Sequence, residues 1–310
     1  MLSRDEDLQL REQIFAWLRA RQLSKPFFSR ADLSTFEYND RTLRLIGPQT
    51  GIWWLTGLSE GAIGIWSAYV PEGRARPYDD NIGRDGFLRY KWRGTDPNTA
   101  DNRALRYAME HGLPMVLYQG IGYEPGSTTQ IAQPNFPVYL IGEEPEFHHF
   151  FVAFEPSQHI ISPYEPATVI EIARSYNERI TKVRYHQPLF RARVIHAYEE
   201  RCAVCRLPFT ELLEAAHIKP DSEGGPARVS NGMSMCKIHH GAYDANILGI
   251  SPDYKIHIKE SVLQTFDGPT LQHSLKEMHG ELLRQVPSER VNQPDREYLA
   301  ERFERFERAS

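Results

Sequence analysis

The feature that most constrains this chain is the placement of its cysteines. Cys202-Ala-Val-Cys205 is followed downstream by Cys236-Lys-Ile-His239, so all 3 cysteines of the sequence fall into a C-x2-C hook and a C-x2-H hook. Zinc takes four tetrahedral nitrogen or sulfur ligands. Two such hooks clamp a small, loop-rich segment that lacks the core to fold alone. An odd and small cysteine count argues against a disulfide framework. Four protein ligands leave no open coordination position, so the metal implied is a structural Zn2+, and any chemistry must come from other residues.

A chain of 310 residues has room for about two domains. Its 41% hydrophobic and 25% charged residues are those of a folded protein. No stretch approaches the roughly 20 apolar residues of a membrane span, and the start MLSRDEDLQL lacks a basic segment followed by an apolar one, so a cytoplasmic location is expected. The net charge of −5 argues mildly against a surface coated in phosphate-binding residues, although a local basic face is what matters for nucleic acid. Two local basic stretches stand out: Gly73 to Arg106, with 8 Lys/Arg against 5 Asp, and Thr181 to Thr210, with 6 against 2 Glu.

Asp5 to Gln22 reads as an amphipathic helix, with Leu8, Leu10, Ile14, Phe15 and Leu18 at helical spacing. From Leu43 to Phe154 the pattern becomes β-rich runs (GIWWLTGL, IGIWSAYV, GFLRYKW, PMVLYQGI, FPVYLIG, HHFFVAF) between Gly, Pro, Asp and Asn clusters. These suggest a barrel or sandwich, with one helix at Asn102 to Met109. Pro156, Pro163 and Pro166 mark a boundary. Helices are expected at Ala167 to Tyr185, at Leu189 to Glu200, and at Asp295 to Glu307 with Tyr298, Leu299, Phe303 and Phe306 as its stripe. The fold class is therefore α+β. An N-terminal helix (1–30) packs on a β-rich domain (31–160), a helical linker (161–188) leads to the cysteine-bearing domain (189–265), and a helical extension (266–310) follows.

Between and just after the hooks lie Glu214-Ala-Ala-His217-Ile, Val229-Ser-Asn231-Gly232 and His239-His240-Gly-Ala-Tyr-Asp244. In this order they resemble the HNH nuclease family, which implies a ββα-metal finger over roughly Ala197 to Ile258. Phosphodiester hydrolysis near neutral pH needs a base to activate water and a cation to stabilise phosphate charge. The resemblance makes His217 the general base, Asn231 the residue holding the loop that orients it, and His240 a ligand of one catalytic Mg2+ or Mn2+. Adjacent helical residues project about 100° apart, so His239 can face the zinc while His240 faces substrate. Asp244, four residues on, shares the face of His240 and is a candidate metal ligand or an outer carboxylate. Many family members carry an Asp just before the base, where this chain has Ala216. Glu214 or Asp244 is left to compensate.

In the β-rich half, Pro77-Tyr78-Asp79-Asp80, Asp85-Gly86-Phe87-Leu88-Arg89-Tyr90-Lys91-Trp92 and Asn102-Arg103-Ala104-Leu105, preceded by Gly47-Pro48-Gln49-Thr50-Gly51-Ile52-Trp53, resemble the SRA family of modified-cytosine readers. That implies an SRA/PUA-like barrel that flips a base from the duplex. Asp80 would read its edge, Tyr90 would stack on it, and Tyr78 is the nearest candidate for a second stacking ring. Together the two halves resemble type IV, McrA-like SRA-HNH restriction endonucleases. The expected partner is double-stranded DNA carrying 5-methyl- or 5-hydroxymethylcytosine, and the expected assembly is a homodimer, because one HNH site cuts one strand. Two rivals stand beside this reading: an HNH endonuclease that reads another DNA mark such as phosphorothioate, and a catalytically weak, zinc-stabilised DNA-binding protein.

Overall fold

The computed structural model describes residues 1–71, 82–83, 85–158, 160, 165, 167–266 and 268–309. The expected pocket residues Tyr78 and Asp80 lie outside them. The chain divides into two compact units, Met1–Leu189 and Phe190–Ser310.

Unit 1 opens with helix α1 (Arg4–Gln22), started by a capping box in which the Ser3 hydroxyl accepts from the Glu6 amide and the Glu6 carboxylate accepts from the Ser3 amide. Its stripe of Leu10, Ile14, Phe15 and Leu18 joins Phe28, Leu33, Leu45, Ile46, Trp66 and Tyr118 in one core cluster. The strands are β1 (Phe28–Ser29), β2 (Phe36–Tyr38), β3 (Arg41–Leu43), β4 (Ile52–Trp53), β5 (Gly64–Ser67), β6 (Leu88–Lys91), β7 (Met115–Tyr123), β8 (Gln130–Glu144) and β9 (His149–Ala153). β2 and β3 form a hairpin that the sequence reading missed. Its turn residues, Asn39 and Asp40, both have positive φ (47° and 59°), the pair a type I′ turn requires.

The other seven strands make one mixed sheet in the order β4-β5-β7-β8-β9-β6, with β1 pairing β8. Where a barrel or a sandwich was expected, all six β-rich runs contribute to this one sheet among the described residues. The reason is visible in β7, which is buried at every position from Met115 to Gly122 instead of alternating, as a central strand covered on both faces is. β5 and β7 run parallel, and the crossover between them contains helix α2 (Ala100–Glu110).

Two separate helices were expected around Pro188. The chain instead runs from helix α3 (Ala167–Thr181) through a π-helical turn (Lys182–His186) directly into helix α4 (Gln187–Ala197). Proline lacks an N–H and its ring crowds the carbonyl four residues back, which a wider turn relieves. That carbonyl belongs to Arg184, and the Asn135 side-chain amide donates to it in place of the missing N–H.

Unit 2 is built from short pieces: β10 (Leu213–His217) with β11 (Gly232–Cys236), helix α5 (Lys237–Asp244), β12 (Leu248–Ile250) with β13 (Ile256–Ile258), the short helices α6 (Glu260–Leu263) and α7 (Pro269–Ser274), and helix α8 (Arg296–Ala309). The segment read as a C-terminal extension is part of this core. Leu299 of α8 shares a cluster with Cys202, Met233 and Cys236, and Phe306 packs on β12 so closely that a Cβ at Gly249 would lie 2.5 Å from its ring. Among the described residues no helix is long and apolar enough to cross a membrane.

Candidate functional site

The Cys-His cluster forms where the first hook meets the junction of β11 and α5. The ligand atoms of Cys202, Cys205, Cys236 and His239 all lie within 4.8 Å of one another. His239 Nδ1 is 3.1 Å from Cys236 Sγ and 3.5 Å from Cys202 Sγ. At the other end of the ring, Nε2 lies 2.7 Å from the Ser274 carbonyl, and because a carbonyl only accepts, Nε2 carries a proton and Nδ1 is the nitrogen that faces the sulfurs. The Cys236 amide donates to Cys202 Sγ at 3.3 Å. Hydrogen bonds from Cys202, Cys205 and His239 hold the Cys236 thiol far below the ordinary thiol range, and the same sharing with Cys202 and Cys236 pushes Cys205 far above it. His239, although burial opposes its charge, is pushed up to about 10 by its hydrogen bonds to Cys202 and Cys236. This donor set fits a divalent metal with a preference for sulfur, which would displace these shared protons.

The candidate catalytic residues sit on the adjoining hairpin and helix. β10 and β11 pair antiparallel, Leu213 opposite Cys236 and His217 opposite Gly232. Alternation along β10 then puts Glu214 and Ala216 on one face and His217 on the other. Glu214 Oε2 accepts from His240 Nδ1 at 2.7 Å, and His240 Nε2 lies 3.3 Å from Asp244 Oδ2 one helical turn on. The two carboxylates therefore meet different ring nitrogens. Ala216 is fully buried and leaves only a methyl group where a carboxylate was looked for.

His217 stacks on Phe190 of α4, with ring centroids 4.1 Å apart and planes at 19°. α4 lies directly against β11 here: a Cβ at Gly232 would fall 2.5 Å from Val194 and 2.7 Å from Phe190. Arg191 donates to the carbonyls of Thr210 and Leu213 at 2.9 and 2.8 Å, fixing the start of β10, while burial lowers its pKa. Asn231 is completely buried. Its Oδ1 accepts from the Lys219 amide (2.9 Å), and its Nδ2 donates to the carbonyls of Lys219 and Pro226 (3.0 Å each), so it ties down the loop that leaves His217. Phe190 and Arg191 were not singled out in the sequence, because their contacts depend on how α4 packs on the hairpin.

In unit 1, Tyr90 is buried. Its hydroxyl donates to the Gly51 carbonyl at 2.9 Å, and it lines a cavity of about 350 Å3 together with Arg30, Thr50, Trp66, Trp92 and Asp101. The Arg30 guanidinium lies 4.3 Å over the Trp66 ring and donates to the Thr50 carbonyl at 2.8 Å. The basic stretch from Gly73 to Arg106 is largely neutralised where it is described. Arg89 pairs with Asp85 and Glu144, Arg93 with Asp101, and Arg106 with Glu143. In the second stretch Arg184 pairs with Glu155. Counting charges along the sequence overstated both, since Glu143, Glu144 and Glu155 lie outside the stretches counted.

Residues 202–251 match the HNH endonuclease family. Among solved structures, the chain is similar to a "Modification dependent TagI restriction endonuclease" (18% identity, TM-score 0.28, covering 82% of this chain and 84% of that one). It is also similar to the "Type IV phosphorothioation-dependent restriction endonuclease ScoMcrA" (13% identity, TM-score 0.20, covering 58% and 48%). No curated protein sequence matches it. Through the segment that holds the Cys-His cluster, the β10–β11 hairpin and α5, the chain carries an HNH endonuclease domain, the module of a metal-dependent DNA endonuclease.

Proposed function

We propose that the chain is a modification-dependent restriction endonuclease in which unit 1 selects a modified cytosine in double-stranded DNA and unit 2 hydrolyses a nearby phosphodiester bond. The observation that carries the chemistry is the pair of contacts on His240. With Glu214 accepting at Nδ1, Nε2 is left on the side of Asp244, where an imidazole nitrogen and a carboxylate oxygen 3.3 Å apart suit two ligands of one cation. Mg2+ or Mn2+ bound there would stabilise charge on the phosphate and the leaving oxygen. His217 takes the proton of the attacking water, its plane fixed by Phe190, and Asn231 holds the loop that orients it. Cys202, Cys205, Cys236 and His239 would hold Zn2+, which keeps β11 and α5 in place.

In unit 1, the aromatic cavity beside Tyr90 suits a base swung out of the duplex, with Tyr90 stacking on it, Asp80 reading its edge and Tyr78 as the second ring. A homodimer would bring two HNH sites to the two strands. The test is digestion of plasmid DNA that is unmodified, 5-methylated, 5-hydroxymethylated or phosphorothioated, with Mg2+ or Mn2+, by wild type and His217→Ala. Cutting confined to the cytosine-modified plasmids, and lost in His217→Ala, is expected. Cutting only of phosphorothioated DNA reassigns the reader, equal cutting of every plasmid removes selectivity, and no cutting by either protein leaves a DNA-binding module without catalysis.

A further inference from the structure

The loop between β10 and β11, residues 218–231, leaves the candidate general base and returns through Asn231. α8 grips it at three points. Lys219 Nζ is 3.2 Å from Glu301, Arg228 Nη2 is 3.0 Å from Asp295, and Glu223 accepts both terminal nitrogens of Arg305, one of them at 2.7 Å. The Tyr298 ring adds a platform for both flanks of the loop, with Lys219 Nζ 5.5 Å and the Arg228 guanidinium 5.4 Å from its centroid. Asp295, Tyr298, Glu301, Arg302 and Arg305 recur at three- and four-residue spacing, which places them along one side of the helix. From that same side Arg302 donates to the Tyr243 carbonyl and to Asn246 Oδ1 (2.6 Å), and lies 4.4 Å over the Tyr243 ring, at the end of α5 that carries Asp244.

We propose that α8 is a positioning clamp that sets the loop following His217 against the helix bearing His240 and Asp244, so that both halves of the centre are held by one rigid rod. The proposal rests on the nuclease reading of those residues. Half-exposed ion pairs contribute little to stability, about 0–1 kcal/mol each. A displacement of about 1 Å at a reacting group, by contrast, costs up to about 100-fold in rate. The clamp therefore acts on rate far more than on folding.

The Glu223–Arg305 pair allows a clean test, since its side chains are 40% and 44% exposed and neither residue belongs to the Cys-His cluster or to the proposed cation ligands. Arg305→Glu is expected to lower kcat on cleavable plasmid about tenfold and to speed amide hydrogen exchange in residues 218–230, with thermal stability and zinc content unchanged. The swap Glu223→Arg with Arg305→Glu keeps the net charge of wild type and is expected to restore both readings. Unchanged exchange in Arg305→Glu overturns the clamp, and faster exchange without a fall in kcat overturns its positioning role. A swap that rescues neither reading overturns the assignment of the pair. Wild-type protein that cuts no DNA sinks the nuclease reading instead, and the exchange measurement still decides the clamp.

Discussion

Unit 1 and unit 2 both bury polar groups at their centres, but of different kinds. In unit 1 the group is an ion pair. Arg11, 1% exposed, donates to both Asp7 oxygens, to Ser59 Oγ, and to the carbonyls of Gly61, Ala62 and Pro114. It ties α1 to the segment before β5 and to the segment before β7, yet the apolar cluster around it and the seven-stranded sheet are continuous without it. In unit 2 the strands are five, five, three and three residues long. The cluster that should hold them together contains two of the cysteines themselves. Unit 1 builds its core on a long sheet that surrounds its ion pair, whereas unit 2 gathers its core over short strands, with two of the proposed metal ligands among its members.

The sharpest way to break this contrast is to remove the metal. Structural zinc sites bind with about 10–16 kcal/mol of apparent free energy near pH 7, comparable to or above the whole stability of a small domain. A strong chelator is expected to unfold unit 2 while the sheet of unit 1 persists, seen as exchange protection lost after about residue 190 and kept before it. Cooperative loss of both halves would refute the contrast. The pH dependence follows from His239. In the metal-free centre its pKa is pushed up to about 10, above its unfolded value, so at neutral pH the metal must displace its proton. Apparent metal affinity is therefore expected to rise with pH up to about 10 and to fall as the medium is acidified, measured by competition with a colorimetric chelator.

Next in size is Arg11→Met, which leaves Asp7 buried and uncompensated. Removing one partner of a buried pair costs about 3–5 kcal/mol. In a unit of this size that lowers its melting temperature by about 10 °C. Unit 2 should be untouched, and a loss of metal in this variant would show that the two centres are coupled.

Asn231→Ala probes the same distinction within unit 2. It removes three hydrogen bonds from a fully buried amide and takes their partner from the Lys219 amide and carbonyl, while the Pro226 carbonyl still accepts from the Arg228 amide, at a cost of about 1–3 kcal/mol for each group left buried and unpaired. Since these bonds fix the loop and not the cluster, kcat is expected to fall by more than tenfold while metal content stays at wild-type level. Loss of the metal instead would place Asn231 in the scaffold of the Cys-His centre.

What could be read from the sequence was local. Two-residue spacings within each hook bring ligands together whatever surrounds them, and apolar β-rich runs between turn residues become strands in almost any fold. Pairing was not legible. That β5 lies parallel to β7, and that Arg89 and Arg106 find Glu144 and Glu143, depends on strand order. The contact from Glu214 to His240 depends on register, since Leu213 opposite Cys236 is what brings residue 214 beside α5. Alternation was available for Ala216: it shares a strand face with Glu214, so the nearest carboxylate on that face stands two residues earlier. No comparable signal in the sequence pointed to Trp66 or Arg30, which reach the Tyr90 cavity only after the sheet has formed.

The smallest expected effect separates selection in unit 1 from chemistry in unit 2. Tyr90→Phe keeps the ring and removes the hydroxyl that donates to Gly51, a loss of about 1 kcal/mol from unit 1 and nothing from unit 2. If the ring stacks on a flipped base, this variant should bind and cut modified plasmid within about threefold of wild type. Tyr90→Ala, which also removes stacking worth about 1–3 kcal/mol, should lose preference for modified over unmodified DNA about tenfold or more. Turnover on saturating modified substrate should stay near wild type in both, since neither change reaches the HNH domain. Equal selectivity in Tyr90→Ala and wild type would mean that the cavity beside Tyr90 is not where the base is read.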